Sequence, residues 1–242
     1  MKRTLVVAVT GASGVTYSMR LLEVLLAAGC DVHLMISDAG ASVVRQELDL
    51  NVDLEHFHPS MLMLDSGRQP LDPKLQWLRS GAGISSDSSN VLGVGSGEPG
   101  ELTFHGCHDG QSSLASGSFS TDGMIVCPCS CRTLGMIANG TGDHLIHRVA
   151  EVHLKERRPL VLVPRETPLS LVQIENMRRA ARAGAILLPA TPAFYHGVQQ
   201  IGDLVDFIVS RICDQLGIAN ALIPRWGGEA GGDLGAERDE QS

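Results

Sequence analysis

Arg165 and Glu166 follow directly on Leu160 to Val163, four apolar residues bracketed by Pro159 and Pro164 and by charge. A run this short without polar alternation reads as a strand buried on both faces, and such strands belong to parallel sheets, whose ligands bind beyond the carboxyl ends. There a guanidinium suits a phosphate and a carboxylate suits proton transfer. A lone Arg–Glu pair fits an ordinary exposed ion pair as well. Other apolar runs end in residues of the same kind. Leu5 to Val9 leads into Thr10, Gly11, Ala12, Ser13 and Gly14. The two glycines let backbone approach a ligand, Ser13 offers a hydroxyl, and the first turn of a following helix attracts anions. This is not the G-x-G-x-x-G dinucleotide pattern, and small residues at a strand–helix turn serve packing equally. Asp31 to Ile36 delivers Ser37, a helix cap or a ligand contact. Gly123 to Cys127 delivers Ser130 and Thr133 with Arg132 between them, and Ala185 to Leu188 delivers the segment that holds Tyr195.

Alternating elements must hold these strand ends. Helices are expected after the glycine turn, with Leu21, Leu22, Val24, Leu25 and Leu26 apolar and Gly29 as the stop; after Ser37 through about Leu48, carrying Glu47; and from near Leu134. Others run from about Leu145 to Arg157 with Arg148 and Lys155, from Leu169 to Ala183, and from Ile201 to Leu216, where Arg211 interrupts the apolar residues. The alternation predicts a single α/β domain, a doubly wound, mostly parallel sheet of Rossmann or flavodoxin type, with an anionic ligand at its switch point. A short helix is expected near Pro73 to Arg79. Residues 83–118, with 17 Gly or Ser in 36, read as a flexible excursion with a short strand at Leu102 to His105. Residues 227–242 read as an acidic, disordered tail.

With 242 residues, 43% of them hydrophobic, the chain has material for one core. Nineteen basic against 27 acidic side chains, a formal charge of -8, exclude a broad nucleic-acid footprint. Leu5 to Val9 is too short for a signal-peptide core and nothing approaches a membrane span, so the cytoplasm is the expected location. Among the six cysteines, Cys127, Cys129 and Cys131 alternate, and an extended segment would turn all three to one side. The spacing is not the C-x2-C of zinc sites, so reduced thiols and no metal are expected. His144 and His147, three apart on a helix, read as solvated or capping.

Gly11 to Gly14 with Tyr17, Ser37, Cys127 to Ser130, Lys155 to Pro159, Pro164 to Pro168, Phe194 to His196 and Pro224 to Trp226 stand in an order and at intervals that resemble the flavin prenyltransferase (UbiX-like) family, from Leu5 to about Trp226. The resemblance makes residues 1–226 a flavin-binding prenyltransferase domain, with the excursion and the tail outside it. It implies transfer of a dimethylallyl group from dimethylallyl phosphate to N5 and C6 of reduced FMN, without metal. The product, prenylated FMN, would serve a partner decarboxylase. Ser13, Ser37, Ser130, Thr133 and Arg165 match the family's FMN positions, with Gly11, Ala12, Cys131 and Arg132 alongside; Arg132 stands where some members carry lysine. Lys155, Tyr195 and Arg211 match positions that grip the prenyl phosphate, with Arg148 close by. Glu166 matches an acid suited to proton transfer. Trp226 is placed to face allylic charge, or is an exposed structural tryptophan. Glu47 matches a residue supplied across a subunit boundary, since members assemble as homo-oligomers, often dodecamers. Two other readings share the fold: an FMN-dependent cysteine decarboxylase, against which the lack of histidine from Val15 to Leu26 weighs, and a non-catalytic flavin carrier, which would not need Lys155, Tyr195 and Arg211.

Overall fold

The computed structural model of the chain describes residues 2–62 and 99–224. The strands β1 (Thr4–Val9), β2 (Asp31–Ile36), β3 (Leu102–Phe104), β4 (Gly123–Cys129), β5 (Leu160–Pro164) and β6 (Ile186–Leu187) pair in parallel into one sheet of order β3-β2-β1-β4-β5-β6. The chain winds outward from β1 to the β3 edge, returns to the other flank of β1 at β4, and winds outward again. That reversal puts the switch point between the carboxyl ends of β1 and β4.

Among the described residues six α-helices cover the sheet: α1 (Val15–Ala27), α2 (Asp38–Leu48), α3 (Cys131–Asn139), α4 (Leu145–Lys155), α5 (Leu171–Ala183) and α6 (Ile201–Gln215). Successive strand side chains alternate between two cores. Leu5, Val7 and Val9 of β1 meet Leu21, Leu22 and Leu25 of α1, Val44 of α2 and Ile208, Val209 and Ile212 of α6. Val6 and Ala8 meet Leu134 and Ile137 of α3, Ile146, Val149 and Ala150 of α4, and Ala180 of α5. Each fully buried leucine or isoleucine contributes about 1.5–3 kcal/mol, so both faces of the unalternating runs earn their burial.

Helix starts are set by small polar residues. The Ser37 hydroxyl accepts from Gly40 N–H at 3.0 Å, that of Ser130 from Thr133 N–H at 3.2 Å, and Ser170 forms a capping box with Gln173. Gly14 begins α1 at φ 107°, a conformation that suits glycine alone.

The predicted fold class is found, including the strand near Leu102, which forms the sheet's edge on β2. The described half of the Gly/Ser-rich stretch is built into the protein: Cys107 and Leu114 join the second core, and the Cys107 thiol donates to Ile36 O at 3.1 Å. The expected one-sided cysteines are corrected. A register shift between Val126 and Cys129 turns Cys127 into one core and Cys129 into the other. The helix expected near Pro73 to Arg79, the tail and Trp226 lie outside the described residues. Among the described residues no helix is long and apolar enough to cross a membrane.

Candidate active site

Three loops interlock at the switch point. Thr10, 1% exposed, donates its hydroxyl to Pro128 O and accepts from Ser130 N–H, both at 2.8 Å, tying the end of β1 to the end of β4. Ser37 N–H donates to Val9 O at 3.0 Å and ties in β2. A Cβ on Gly11 would stand 2.6 Å from the Ala39 methyl, and one on Gly40 would stand 2.6 Å from Val9 O, so the starts of α1 and α2 touch through glycines. Gly11, Ala12 and Ser13, then Ser37, then Ser130, Cys131, Arg132 and Thr133, thus occupy three neighbouring strand ends. Arg165 and Glu166, both exposed, follow β5 at the fourth.

The glycine turn differs from the sequence expectation. Its helix N–H groups are not left for an anion: the Glu47 carboxylate of the same chain accepts from Gly14 N–H at 3.0 and 3.1 Å and from Val15 N–H at 3.1 Å. A carboxylate there stabilises α1 by about 0.3–1 kcal/mol. Tyr17 lies beside it. Burial pushes its phenol above the ordinary value, Cys127 and Glu47 add to the shift, and Arg165 opposes it, so guanidinium, phenol and carboxylate share one crevice. Over the start of α3, burial pushes the Cys131 thiol up and the adjacent Glu166 carboxylate pushes it further. Sequence reasoning assigned no role to Thr10 or Tyr17. The signal for Thr10 was a polar residue closing a wholly apolar run.

The expected phosphate-gripping residues do not assemble within one chain. Lys155 ends α4 near Gly117, where the strands begin, and pairs with Glu156 at 2.5 Å. Arg211 lies in the half of α6 nearest that same edge, paired with Asp214 at 2.8 Å; Leu216, just beyond the helix, accepts from Arg3, which precedes β1. Arg148, in the first turn of α4, donates to Ala115 O at 3.2 Å. Tyr195 stands in the exposed loop after β6, its ring edge-on to Phe207. Beside that loop a cavity of about 170 Å³ is lined by His196, Asp203, Leu222 and Pro224, away from the switch point. His147 is corrected from solvated to buried, at 2% exposure, whereas His144 does cap α4 by position.

The Flavoprotein family profile matches residues 1–213. The chain is 39% identical over 220 residues to the flavin prenyltransferase UbiX of Pseudomonas aeruginosa, covering 91% of this chain and 92% of the relative. This chain belongs to the flavin prenyltransferase family. Its relative from Methanothermobacter thermautotrophicus, also a flavin prenyltransferase UbiX, is 37% identical over 94% of this chain and 97% of its own. Among solved structures, AnUbiX (PadA1) in complex with FMN and dimethylallyl pyrophosphate superposes with a TM-score of 0.72 at 35% identity, covering 94% of this chain and 99% of that one. A dodecameric FMN-dependent UbiX-like decarboxylase from Escherichia coli O157:H7 superposes at 0.68 and 32% identity, covering 93% and 99%. Within the family's shared fold, Thr10 and Glu47 brace the loops at the switch point of this chain.

Proposed function

We propose that this protein joins the dimethylallyl group of dimethylallyl phosphate to N5 and C6 of reduced FMN, making prenylated FMN for a partner decarboxylase. The observation that carries the reading is the convergence of Ser13, Ser37, Ser130, Thr133 and Arg165 on four adjacent strand ends, in a chain that matches flavin prenyltransferases nearly end to end. Hydroxyls, first-turn N–H groups and one guanidinium fit the ribityl chain and phosphate of FMN. Glu47 already holds the start of α1, and α2 carries Asp38 in its first turn. The first turn of α3 has no acid and brings Arg132. The flavin phosphate therefore belongs at α3, against Ser130, Cys131, Arg132 and Thr133, while Gly11, Ala12 and Ser13 line the crevice opposite.

Reduced flavin supplies the two nucleophilic positions that the prenyl group joins. The protein's part is to hold the prenyl phosphate and stabilise it as it leaves. Lys155, Arg148 and Arg211 with Tyr195 take the role that magnesium plays elsewhere, lowering the cost of breaking the allylic C–O bond. Since Lys155 and Arg211 stand at the far edge of their own sheet, they serve the crevice of a neighbouring copy. Exposed Leu171, Val172, Ile174, Phe194 and Ile201 support such assembly, because a monomer rarely leaves so many large apolar side chains in water. Glu166 handles the proton at the phosphate, Ser13 orients the flavin edge, and Glu47 anchors the turn that carries Ser13; Trp226, outside the described residues, is the aromatic residue assigned to the developing allylic charge. Residues 1–226 form the working unit, and six free cysteines, five of them buried, suit the cytoplasm.

Anaerobic incubation of the purified protein with FMN, dithionite and dimethylallyl phosphate, followed by mass analysis of the extracted flavin, tests this. A gain of one C5H8 unit is expected; unmodified FMN from protein that still binds it overturns the reading.

A further inference from the structure

The turn that ends α4 is strained at one residue and clamped by the next. Arg157 takes the left-handed conformation, φ 56°, that glycine usually supplies where a helix stops. A long side chain persists there only where the surroundings hold it. The N–H groups of Arg157 and Arg158 close the turn on Leu154 O at 3.2 Å and His153 O at 2.8 Å. The reversal brings the Arg158 guanidinium against residues 117–121, where Nη2 donates to Gly117 O at 2.6 Å and Nη1 to Phe119 O at 2.7 Å, with Thr121 Oγ1 at 3.4 Å. Thr121 is itself fixed by the buried His153, its Oγ1 2.9 Å from Nε2. Among the described residues no carboxylate pairs with Arg158, so the guanidinium serves this loop and not an ion pair.

We propose that Arg158 is a positioning residue for prenyl transfer, setting the ammonium of Lys155 through the backbone of Gly117. The inference rests on the function proposed above, in which Lys155 grips the prenyl phosphate. Lys155 Nζ and Glu156 Oε1, 2.5 Å apart, lie directly on Gly117: a Cβ there would stand 2.8 Å from Nζ and would overlap the carboxylate. The backbone at 117 is thus the seat of the ion pair, and its carbonyl is the one that Arg158 holds. Arg148 secures the same loop two residues earlier, donating to Ala115 O at 3.2 Å. Guanidinium groups from the first turn of α4 and from just beyond its end therefore shape the surface against which Lys155 lies. A lysine side chain has several rotatable bonds and loses much freedom when it is fixed on a ligand. A seat that limits those rotamers beforehand leaves less to lose when the phosphate arrives.

The test varies dimethylallyl phosphate at saturating reduced FMN in the full-length protein. Arg158→Ala should lower kcat/KM for dimethylallyl phosphate about tenfold, with FMN affinity unchanged within about twofold. In a Lys155→Ala background the same change should cost less than about twofold, because residues that act through one another are not additive. A merely structural arginine would cost the same in both backgrounds. Gly117→Ala keeps the loop's hydrogen bonds but pushes the ammonium off its seat, and should match Arg158→Ala; it decides the matter if Arg158→Ala fails to fold. Unchanged kcat/KM in either variant, equal losses with and without Lys155, or a parallel loss of FMN affinity overturns the inference. Wild-type protein that transfers no C5H8 unit overturns the functional reading, and the inference with it.

Discussion

The Thr10 hydroxyl spans the switch point, giving a proton to Pro128 O and taking one from Ser130 N–H, so the loop that carries Ser130 is positioned by a residue that need not touch any ligand. Thr10→Val keeps the shape and strands both partners, at about 1–3 kcal/mol. Flavin affinity, read by fluorescence quenching, should fall about tenfold with a lowered Tm. Glu166→Gln should slow prenyl transfer in the mass assay while FMN still binds; loss of flavin on purification would mean that Glu166 holds the cofactor instead. A third expectation concerns acid. Burial lowers His33, His105 and His153, and the His153 ring satisfies both nitrogens as a neutral group, against Val149 O at 2.8 Å and Thr121 Oγ1 at 2.9 Å. The unfolded chain takes up protons near the ordinary value of about 6.5 that the folded chain refuses. Stability should thus be full above that pH and decline as it falls, visible as a Tm that drops on acidification with a shallower slope in His153→Gln.

At the level of elements, the start of α2 lies against the end of β1 so closely that Gly40 has no room for a methyl. Gly40→Ala should push α2 away from Val9 O, cost roughly 1–3 kcal/mol in chemical denaturation, and loosen Ser37 with it. The elements themselves were legible because burial on both faces leaves an unmistakable mark: Leu5 to Val9 or Leu160 to Val163 have few other uses. What was not legible needed contacts remote in sequence. Nothing local to Glu47 announces that it caps a helix 33 positions earlier. The cysteine alternation failed because a register shift has no signature in residue type. Lys155 precedes β5 and Arg165 follows it, and a five-residue strand between them spans about 16 Å at 3.3 Å per residue, so topology alone separates them within one chain.

For the whole molecule this separation makes assembly part of the proposed chemistry. Lys155→Ala and Glu166→Gln variants, each impaired, should regain part of the lost transferase activity when dissociated and reassembled together, because some mixed crevices take an intact residue from each; failure to recover would return Lys155 to a solvated helix end. The proposed reaction uses reduced flavin, which generates peroxide whenever oxygen enters. Five of its six thiols are buried, and burial pushes Cys107 and Cys127 to about 12 and Cys129 higher still, so these sulfurs remain protonated and poorly nucleophilic. The fold thereby shields these sulfurs, and Cys131, the partly exposed thiol at the start of α3, is the one an oxidant would meet first, away from both cores.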